Sequence, residues 1–459
     1  MIRITEPRGL NLTYDTLATK LQMSPANYRT IGIGKWHLGF HQVSFTPTAR
    51  GFDTFFGILA GGGGHFSHKS TGSFTMRGKD FKSTTIDYVG FNLWHDGAPI
   101  IEDEQMEGRH TTDIYTDVAI DKLKSSEQDE RPWFLYLAYQ AVHSPMEVLP
   151  EYVDGTVNNG CDSIKSASGK GSESLRRTLC GMLSQIDDSV ESIYNQIRDM
   201  DEWENTVFIF LSDNGGITNH GSLNLPYRGE KGTYFEGGVR VPAFLGGGFT
   251  QRALSYADVA PYASISIVHV TDLHAMALAL AGIPLDLETS NPKSASIDGI
   301  DQWEYLVESG SLNENLQRRT ELLHNINSQY FGNAGALRMG DYKLVVEAKV
   351  TESEVSEYGR HILQDADFDA GDLLAIITKK LLKTDGTFYL FNVAKNPSEN
   401  EDGNCLNPEE CTNLFGNDAF LAVQIAMLDK WKEYRDGMDP SEFTCKCPSL
   451  IILYASLTL

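Results

Sequence analysis

The pattern of apolar and polar positions predicts buried strands that end abruptly in polar residues. Three apolar runs show this pattern, at residues 30–33, 133–139 and 207–211. Continuous apolar runs of this length are typical of strands buried on both faces of a parallel sheet. Each run leads into a polar cluster: Gly34-Lys35-Trp36-His37, Gln140-Ala141-Val142-His143 and Ser212-Asp213-Asn214-Gly215-Gly216.

Helical periodicity alternates with these runs. Apolar residues recur at steps of three and four between residues 179 and 197, the stripe of an amphipathic helix. Residues 13–21 and 271–281 are also predicted to be helical, each opening on a threonine suited to capping. Alternating strands and helices predict a doubly wound, mostly parallel α/β sheet flanked by helices, with ligands bound beyond the carboxyl ends of the strands.

The pattern changes after about residue 320. Strand-like runs at 341–346 and 387–392 predict a smaller α+β unit with antiparallel strands. We expect a large domain over 1–320, a subdomain over 321–447 and an atypical apolar tail over 448–459. The tail is too short for a membrane span. It is interpreted either as an edge strand or as the product of a wrong exon or reading frame.

The composition argues against nucleic acid as a partner and against a membrane-spanning helix. The net charge of −24 and the pI near 4.8 argue against nucleic acid, because phosphate binding needs clustered Lys and Arg. No stretch reaches the roughly 18 apolar residues of a membrane helix. The first residues lack the apolar core of a signal peptide. Because the net charge of the chain is negative, an anionic substrate would need a binding site in which positive side chains are concentrated.

Six cysteines favour one or two disulfides over a zinc site, since no C-x-x-C or matched histidine spacing occurs. Cys405 and Cys411 share a polar loop that suits a short local disulfide. Cys161 and Cys180 flank a stretch rich in Ser, Gly and Lys. The Gly/Ser-rich residues 154–174 are interpreted as a flexible insertion.

Two of the polar clusters suggest chemistry. Asp213 and Asn214 put two hard oxygen donors beside a glycine turn, which suits Ca²⁺ or Mg²⁺, or else forms an Asx turn that closes the strand. Lys35 and His37 lie two residues apart, so both point to one side of an extended chain. Such a pair neutralises an anion and moves a proton, or is simply a surface lysine beside a packed histidine.

Three further segments carry candidate binding groups. Arg228 and Lys231 stand in a glycine-rich loop that suits either a clamp on a tetrahedral oxyanion or a solvated loop with internal charge pairs. His143 is either a proton donor at a strand end or a hydrogen-bonded structural histidine. His65 and His68 follow four glycines, whose loop is expected to line a pocket.

Together these motifs resemble the sulfatase family, most closely its arylsulfatase B-like branch. The likeness covers the chain up to about residue 325. Its motifs are GKWHLG at 34–39, RGFDTFFG at 50–57, HSP at 143–145, TVFIFLSDNGG at 206–216, RGEKGTYFEGGVRVPAF at 228–244 and VTDLHAMALALAGI at 270–283.

The resemblance implies cleavage of sulfate esters with one Ca²⁺ ion. Asp213 and Asn214 would be ligands of that ion, while Lys35 and His37 would lie beside the nucleophile. The substrate would be a sulfated small molecule or glycan, and the protein would be secreted or lysosomal.

The remaining roles implied by the resemblance concern the substrate. His143 and Lys231 would contact the sulfate, and either would protonate the departing oxygen. The loop with His65 and His68 would lie near the mouth of the pocket, and Arg228 would bind substrate.

The chain also departs from the family. It contains neither the D-D-x-G segment nor the C-x-P-S-R segment whose cysteine becomes the formylglycine nucleophile. We expect this segment, with a central strand, to be missing upstream of Met1, and expect this polypeptide not to turn over sulfate esters. The alternative is an inactive sulfatase-like protein that binds sulfated glycans or a partner. A third reading is a phosphatase or phosphodiesterase of the same superfamily, which would show more Asp and His ligands for a second metal.

Overall fold

The strands and helices alternate along much of the chain. The computed structural model describes residues 7–77, 83–101, 106–164, 172–285, 298–307, 316–327, 334–347, 387–399, 412–437 and 451–456. The helices are α1 Leu17–Met23, α2 Thr111–Ser126, α3 Ser172–Asp199, α4 Glu236–Val239, α5 Gly248–Tyr256, α6 Val270–Leu280, α7 Trp303–Val307 and α8 Leu421–Gly437.

The strands are more numerous than the apolar runs alone indicate. They are β1 Arg29–Lys35, β2 Thr54–Ile58, β3 Lys69–Arg77, β4 Ser83–Phe91, β5 Leu93–His95, β6 Ala98–Pro99, β7 Trp133–Ala138, β8 Thr206–Leu211, β9 Ala243–Gly246, β10 Glu321–Asn327, β11 Ala334–Met339, β12 Tyr342–Glu347, β13 Thr387–Asn392 and β14 Ile451–Ser456.

The chain divides into two units. The first comprises Met1–Asp213, Pro242–Arg318 and Cys445–Leu459. The second comprises Asn214–Val241 and Arg319–Thr444. Residues 214–241 therefore group with the C-terminal part of the chain.

The first unit contains an eight-stranded sheet in the order β6-β5-β2-β1-β7-β14-β8-β9. Strand β1 pairs in parallel with β2 and β7. Because β14 is antiparallel to both β7 and β8, these two strands point the same way. Strands β1, β2, β7 and β8 therefore end at one edge, which we call the carboxyl edge. The mostly parallel α/β fold expected from the sequence is confirmed.

Helices cover both faces of this sheet. On one face, α2 and α3 pack on β1 and β7 through residues such as Ile114, Ile186 and Leu135. On the other face, α1 and α6 pack on β7 and β8 through residues such as Leu21, Met276 and Ile209. Burial on both faces explains why these strands are continuously apolar.

Two helix starts differ from the prediction. Helix α1 begins after Thr16, whose hydroxyl oxygen accepts from the Thr19 N–H at 3.0 Å, so Thr13 is not the cap. Thr13 instead bonds to Asn11 in an exposed turn. Helix α6 begins after His269, not Thr271, because the carboxylate of Asp272 caps the His269 N–H at 2.8 Å.

The apolar tail does not form an edge strand. Six of its residues form β14, which lies between β7 and β8 near the middle of the sheet. An edge strand was one of the two readings of this tail. A strand with both edges paired accounts better for its unbroken apolar run.

The second unit is built on a four-stranded antiparallel sheet in the order β10-β11-β12-β13. Helix α8 packs on it through Met427, Leu428 and Trp431. The predicted runs at 341–346 and 387–392 are strands β12 and β13, so the antiparallel α+β prediction is confirmed.

One disulfide, Cys161–Cys180, lies in the described residues and ties the Gly/Ser-rich stretch to α3. Cys405, Cys411, Cys445 and Cys447 lie outside the described residues. Among the helices that the structure describes, none is long and apolar enough to cross a membrane.

Candidate functional site

The carboxyl edge of the first unit gathers most of the predicted site residues. Lys35 is the last residue of β1, and His37 follows it. His143 follows β7, and Asp213 follows β8. Because these three strands point the same way, the topology brings all four side chains to one edge of the sheet.

The end of β1 is shaped by a glycine and a left-handed turn. Gly34 has φ +97° and pairs with both Ala138 and Gly57, where added side-chain atoms would collide with backbone. Lys35 is buried, and His37 takes φ +50° while its N–H donates to Leu59 O at 3.2 Å. The chain therefore stays hydrogen-bonded to the end of β2 and to the residue after it as it leaves β1.

The four-glycine loop after β2 approaches two of the candidate histidines. A Cβ on Gly61 would lie 2.6 Å from His37 Cε1, and one on Gly62 would lie 3.4 Å from His143 Nδ1. Only a residue without a side chain allows the backbone of Gly61 this close to the His37 ring, whereas the spacing at Gly62 is an ordinary contact. The loop thus lies beside His37 and His143, as a pocket lining would.

Asn92 holds this loop in place. Its carboxamide oxygen accepts from the N–H groups of Leu59 and Ala60, both at 3.2 Å. Its Nδ2 donates to Ser70 Oγ at 2.7 Å, and that hydroxyl donates to Gly62 O at 2.5 Å. The buried Asn92 side chain therefore fixes the path of the backbone next to the candidate site.

Three buried histidines fasten the same loop to neighbouring segments. His65 stacks on His110 with ring centroids 4.7 Å apart, and its Nε2 donates to His143 O at 3.0 Å. His110 caps α2 through Nδ1 and donates from Nε2 to Glu147 O at 3.1 Å. The Glu147 carboxylate accepts from the His65 N–H at 2.7 Å. His68 donates to a backbone carbonyl as well.

These histidines are held neutral. Burial lowers the pKa of His65 and His68, and lowers the pKa of His110 to about 3. Both ring nitrogens of His65 are bonded within the protein, since Nδ1 also lies 3.0 Å from Thr111 Oγ1. His65 and His68 therefore shape the loop beside His143, and a direct contact of either ring with substrate stays a prediction.

The histidine cluster predicts a pH-dependent stability. His110 has a folded pKa well below the unfolded value of 6.5, so its contribution to stability is lost as pH falls below about 6.5 towards about 3. We expect this loss to add about 1.4 kcal/mol per pH unit to the slope of unfolding free energy. His110→Asn keeps a side chain that can cap the helix. It should remove the contribution of His110 from the slope of unfolding free energy against pH.

The measurement is urea unfolding at several pH values, with each protein compared with its own value near neutral pH. Phe66→Leu is the matched control, because Phe66 packs edge-on against the same ring at 5.1 Å and does not titrate. An unchanged slope in His110→Asn would show that His110 is protonated equally in the folded and unfolded states.

Asp213 follows Ser212, whose N–H donates to Pro242 O at 3.1 Å, and its side chain is partly exposed. Calcium takes six to eight oxygen ligands. Across the described ranges no group of three or more His, Cys, Asp or Glu side chains is arranged to hold a metal. The assignment of Asp213 and Asn214 as calcium ligands stays a prediction.

The second unit holds the other predicted residues in one braced loop. Asn224 bridges the loop by donating to Gly216 O at 3.0 Å and to Gly229 O at 3.1 Å. The Lys231 N–H donates to Gly216 O at 3.3 Å. The neighbouring Glu230 carboxylate accepts from both the N–H and the hydroxyl of Thr218. The backbone of Lys231 is therefore bonded to Gly216, which lies two positions after Asn214 in the sequence.

Arg228 is buried in the second unit. Its guanidinium lies 4.1 Å from the Phe235 ring centroid and 5.1 Å from that of Tyr389, and donates to Glu399 O at 3.3 Å. These contacts hold the ends of the loop together. They leave the predicted binding of substrate by Arg228 untested.

A buried ion cluster lies next to Arg228. Lys343 Nζ is 2.8 Å from Glu236 Oε1 and 3.0 Å from Glu399 Oε1, and all three side chains are buried. The Glu236 N–H also donates to Glu399 Oε2. We call these three residues the buried triad. The triad joins the loop that carries Lys231 to strand β12 and to the turn after β13.

Sequence reasoning missed several of these residues. Asn92, His110 and Glu147 position the glycine loop, while Asn224 and the buried triad position the Lys231 loop. The sequence carried a signal only for His110. This residue precedes Thr111-Thr112-Asp113, which is typical of the start of a helix. The other residues depend on contacts between distant segments, for which a single sequence carries no signal.

Comparison with known proteins agrees with the fold. The structure resembles that of Ps i-CgsB in complex with k-i-k-neocarrahexaose, with a TM-score of 0.64, 22% identity, and coverage of 95% of this chain and 78% of that one. At this identity the likeness establishes the fold alone.

Sequence relatives are sulfatases by name. The chain is 32% identical over 332 residues to mouse arylsulfatase J, covering 72% of this chain and 47% of that protein. It is 28% identical over 283 residues to mouse N-acetylgalactosamine-6-sulfatase, covering 61% and 46%. The chain thus spans about half the length of these curated relatives. The family model described as Sulfatase matches residues 2–283. The chain belongs to the sulfatase family.

Proposed function

We propose that this chain carries, at the carboxyl edge, the sulfate-ester binding site of a sulfuric ester hydrolase of the arylsulfatase type. The observation that carries the proposal is the meeting of Lys35, His37 and His143 at one sheet edge in a chain of the sulfatase family. An ammonium group and imidazoles beside a close-approaching glycine loop suit an anion with a tetrahedral centre.

The proposed roles follow the chemistry of each group. Lys35 would stabilise negative charge on the sulfuryl oxygens. A contact of Lys231 with the sulfate stays a prediction from the family resemblance. The Nδ1–H of His143 bonds to Ser144 O at 2.8 Å, so its Nε2 is the atom that would hold the proton for the departing oxygen. His37, turned next to Gly61, would orient the ester. His65, His68 and Arg228 would act by shaping the loops.

The proposal includes ligands for a calcium ion, but it includes no residue for the formylglycine nucleophile. When bound, Ca²⁺ would polarise a sulfate oxygen, and Asp213 and Asn214 are its proposed ligands. None of the six cysteines lies in a C-x-P-S-R sequence within the 459 residues. We therefore propose that this polypeptide binds sulfate esters without turning them over. A sulfatase-like binding protein for sulfated glycans is the second candidate, favoured by the same absence of the motif.

The proposed substrate is a sulfated glycan or an aryl sulfate, since one relative is named for N-acetylgalactosamine-6-sulfate. Residence outside the cell or in the lysosome is proposed with it. Nucleic acid is not a proposed partner, because the net charge of −24 opposes it.

The test is calorimetric binding of 4-nitrocatechol sulfate to the full chain in the presence of Ca²⁺. We expect Lys231→Ala to weaken binding about tenfold, the effect of one charge-assisted hydrogen bond in a partly exposed site. Lys432→Ala on α8 removes the same charge from an exposed position and should have no effect.

Three outcomes separate the readings. Release of 4-nitrocatechol that depends on metal would contradict the proposed lack of turnover. Equal binding of the matching phosphate ester would favour a phosphatase-like site. Failure of Lys231→Ala to differ from Lys432→Ala would remove Lys231 from the site.

A further inference from the structure

The start of the four-glycine loop contacts both candidate histidines of the carboxyl edge. Leu59 O accepts from the His37 N–H at 3.2 Å, and a Cβ on Gly61 would lie 2.6 Å from His37 Cε1. A Cβ on Gly62 would be in ordinary contact with the His143 ring, 3.4 Å from Nδ1. The backbone path through these residues therefore affects where both imidazole rings lie.

Two buried side chains, Asn92 and Ser70, hold this stretch of backbone. Asn92 Oδ1 accepts from the N–H groups of Leu59 and Ala60, both at 3.2 Å. Asn92 Nδ2 donates to Ser70 Oγ at 2.7 Å, and that hydroxyl donates to Gly62 O at 2.5 Å. The two side chains lie in residues that are only 6% and 5% exposed, so water does not readily replace these bonds. We call these two residues the Asn92–Ser70 pair.

The pair is fixed by elements outside the run of glycines. Ser70 lies in β3 and pairs with Gly90 of β4. Asn92 follows β4, and its N–H donates to His68 O at 3.0 Å. Glycine adopts more backbone conformations than any other residue, so a run of four glycines does not fix its own path. We expect that path to depend on hydrogen bonds from neighbouring elements, such as those of the pair.

His143 meets the same loop at a second point, because its carbonyl oxygen accepts from His65 Nε2 at 3.0 Å. We propose that the Asn92–Ser70 pair positions the two imidazole rings for binding of a sulfate ester. Neither member of the pair touches the ester. The pair holds the loop backbone, and that backbone contacts His37 and His143. This inference rests on the proposed function, in which both rings lie in the ester site.

The experiment is calorimetric binding of 4-nitrocatechol sulfate to the full chain carrying Ser70→Ala, in the presence of Ca²⁺. We expect binding to weaken about three- to tenfold, within the range for a lost hydrogen bond. Ser189→Ala is the matched control, because Ser189 is also buried and its hydroxyl bonds to those of Thr116 and Tyr139. The control should lose a similar amount of stability in urea unfolding without a change in affinity for the ester.

A double-variant cycle separates positioning from general destabilisation. In the background of His143→Ala, we expect Ser70→Ala to change the affinity by no more than about twofold, because one of the two rings is no longer there to be misplaced. The same factor in both backgrounds would overturn the inference, since a merely structural role weakens binding equally with or without the ring.

Hydrogen exchange of the ligand-free protein is the second measurement. We expect peptides that cover residues 59–62 to exchange faster in Ser70→Ala than in the wild type, because Asn92 Oδ1 loses the bond that orients it. Unchanged exchange there, or an affinity equal to that of the wild type, would overturn the positioning role alone. A wild-type chain that binds no 4-nitrocatechol sulfate would instead contradict the proposed function.

Discussion

Replacing Lys343 by methionine is expected to lower the free energy of unfolding of the second unit by about 3 to 5 kcal/mol. Lys343 is fully buried, and its ammonium group is the cation between Glu236 and Glu399. Without it, two buried carboxylates are left close together. Arg240, 3.7 Å from Glu236 and largely exposed, compensates only one of them weakly. Breaking a buried ion group by removing one partner costs more than the group contributes, because the remaining charge stays desolvated.

The measurement is urea unfolding read by hydrogen exchange on peptides from residues 321–347, which report on the second unit. Lys430→Met is the matched control, since Lys430 pairs with Glu321 and Glu433 at the surface and such pairs contribute little. Adding Glu236→Gln and Glu399→Gln to Lys343→Met should recover most of the loss. If the triple variant is no more stable than Lys343→Met, the loss comes from the packing of the lysine stem instead.

The pH dependence of the same variant follows from the pKa of Glu399. Burial raises that pKa above its ordinary 4.5, while Lys343 lowers it. A raised folded pKa means that the contribution to stability is complete below about 4.5 and is lost as pH rises through the folded value. Removing Lys343 raises the folded pKa further. The deficit of Lys343→Met should therefore be larger near pH 8 than near pH 5.

Sequence pattern alone predicted the first unit's framework because its strands are buried on both faces. The runs at 30–33, 133–139 and 207–211 are strands β1, β7 and β8, and each is apolar for the same reason. The polar residues after them were predicted at one edge by the rule for parallel strands. That rule needs only strand direction, which alternation with helices supplies.

The parts that sequence did not predict depend on distant pairing. Strand β14 finds its partners in β7 and β8, and an apolar run of six residues fits an edge strand or a central strand equally. Lys343 and Glu399 look like ordinary surface charges in the sequence, and only folding brings them together. The roles of His65 and His68 were drawn from a glycine-rich neighbourhood, which does not reveal that the ring of His110 stacks on that of His65.

Burial also separates residues that sequence groups together. Arg228 and Lys231 were placed in one cationic loop, three positions apart. In the structure Arg228 is buried against the rings of Phe235 and Tyr389, while Lys231 is partly exposed. Charge alone therefore does not identify which cation of a loop is available to a ligand.

Replacing Gly34 by alanine is expected to lower the free energy of unfolding of the first unit by about 3 kcal/mol or more. A Cβ at this position would lie 1.9 Å from Ala138 O, a backbone atom that cannot move away without breaking the pairing of β1 with β7. The residue also has φ +97°, a conformation that costs about 1 to 3 kcal/mol for a residue with a side chain. Overpacking adds about 1 to 3 kcal/mol.

The same substitution should disturb the candidate site, because Lys35 is the next residue and is buried at the end of β1. Urea unfolding gives the stability, and 4-nitrocatechol sulfate binding gives the effect on the site. Gly90→Ala in β4 is the matched control, since nothing lies within 4 Å of a Cβ there and its stability should change by less than about 1 kcal/mol. Equal behaviour of the two variants would mean that β1 and β7 separate locally at low cost. The tight approach at Gly34 would then not be what fixes Lys35 at the carboxyl edge.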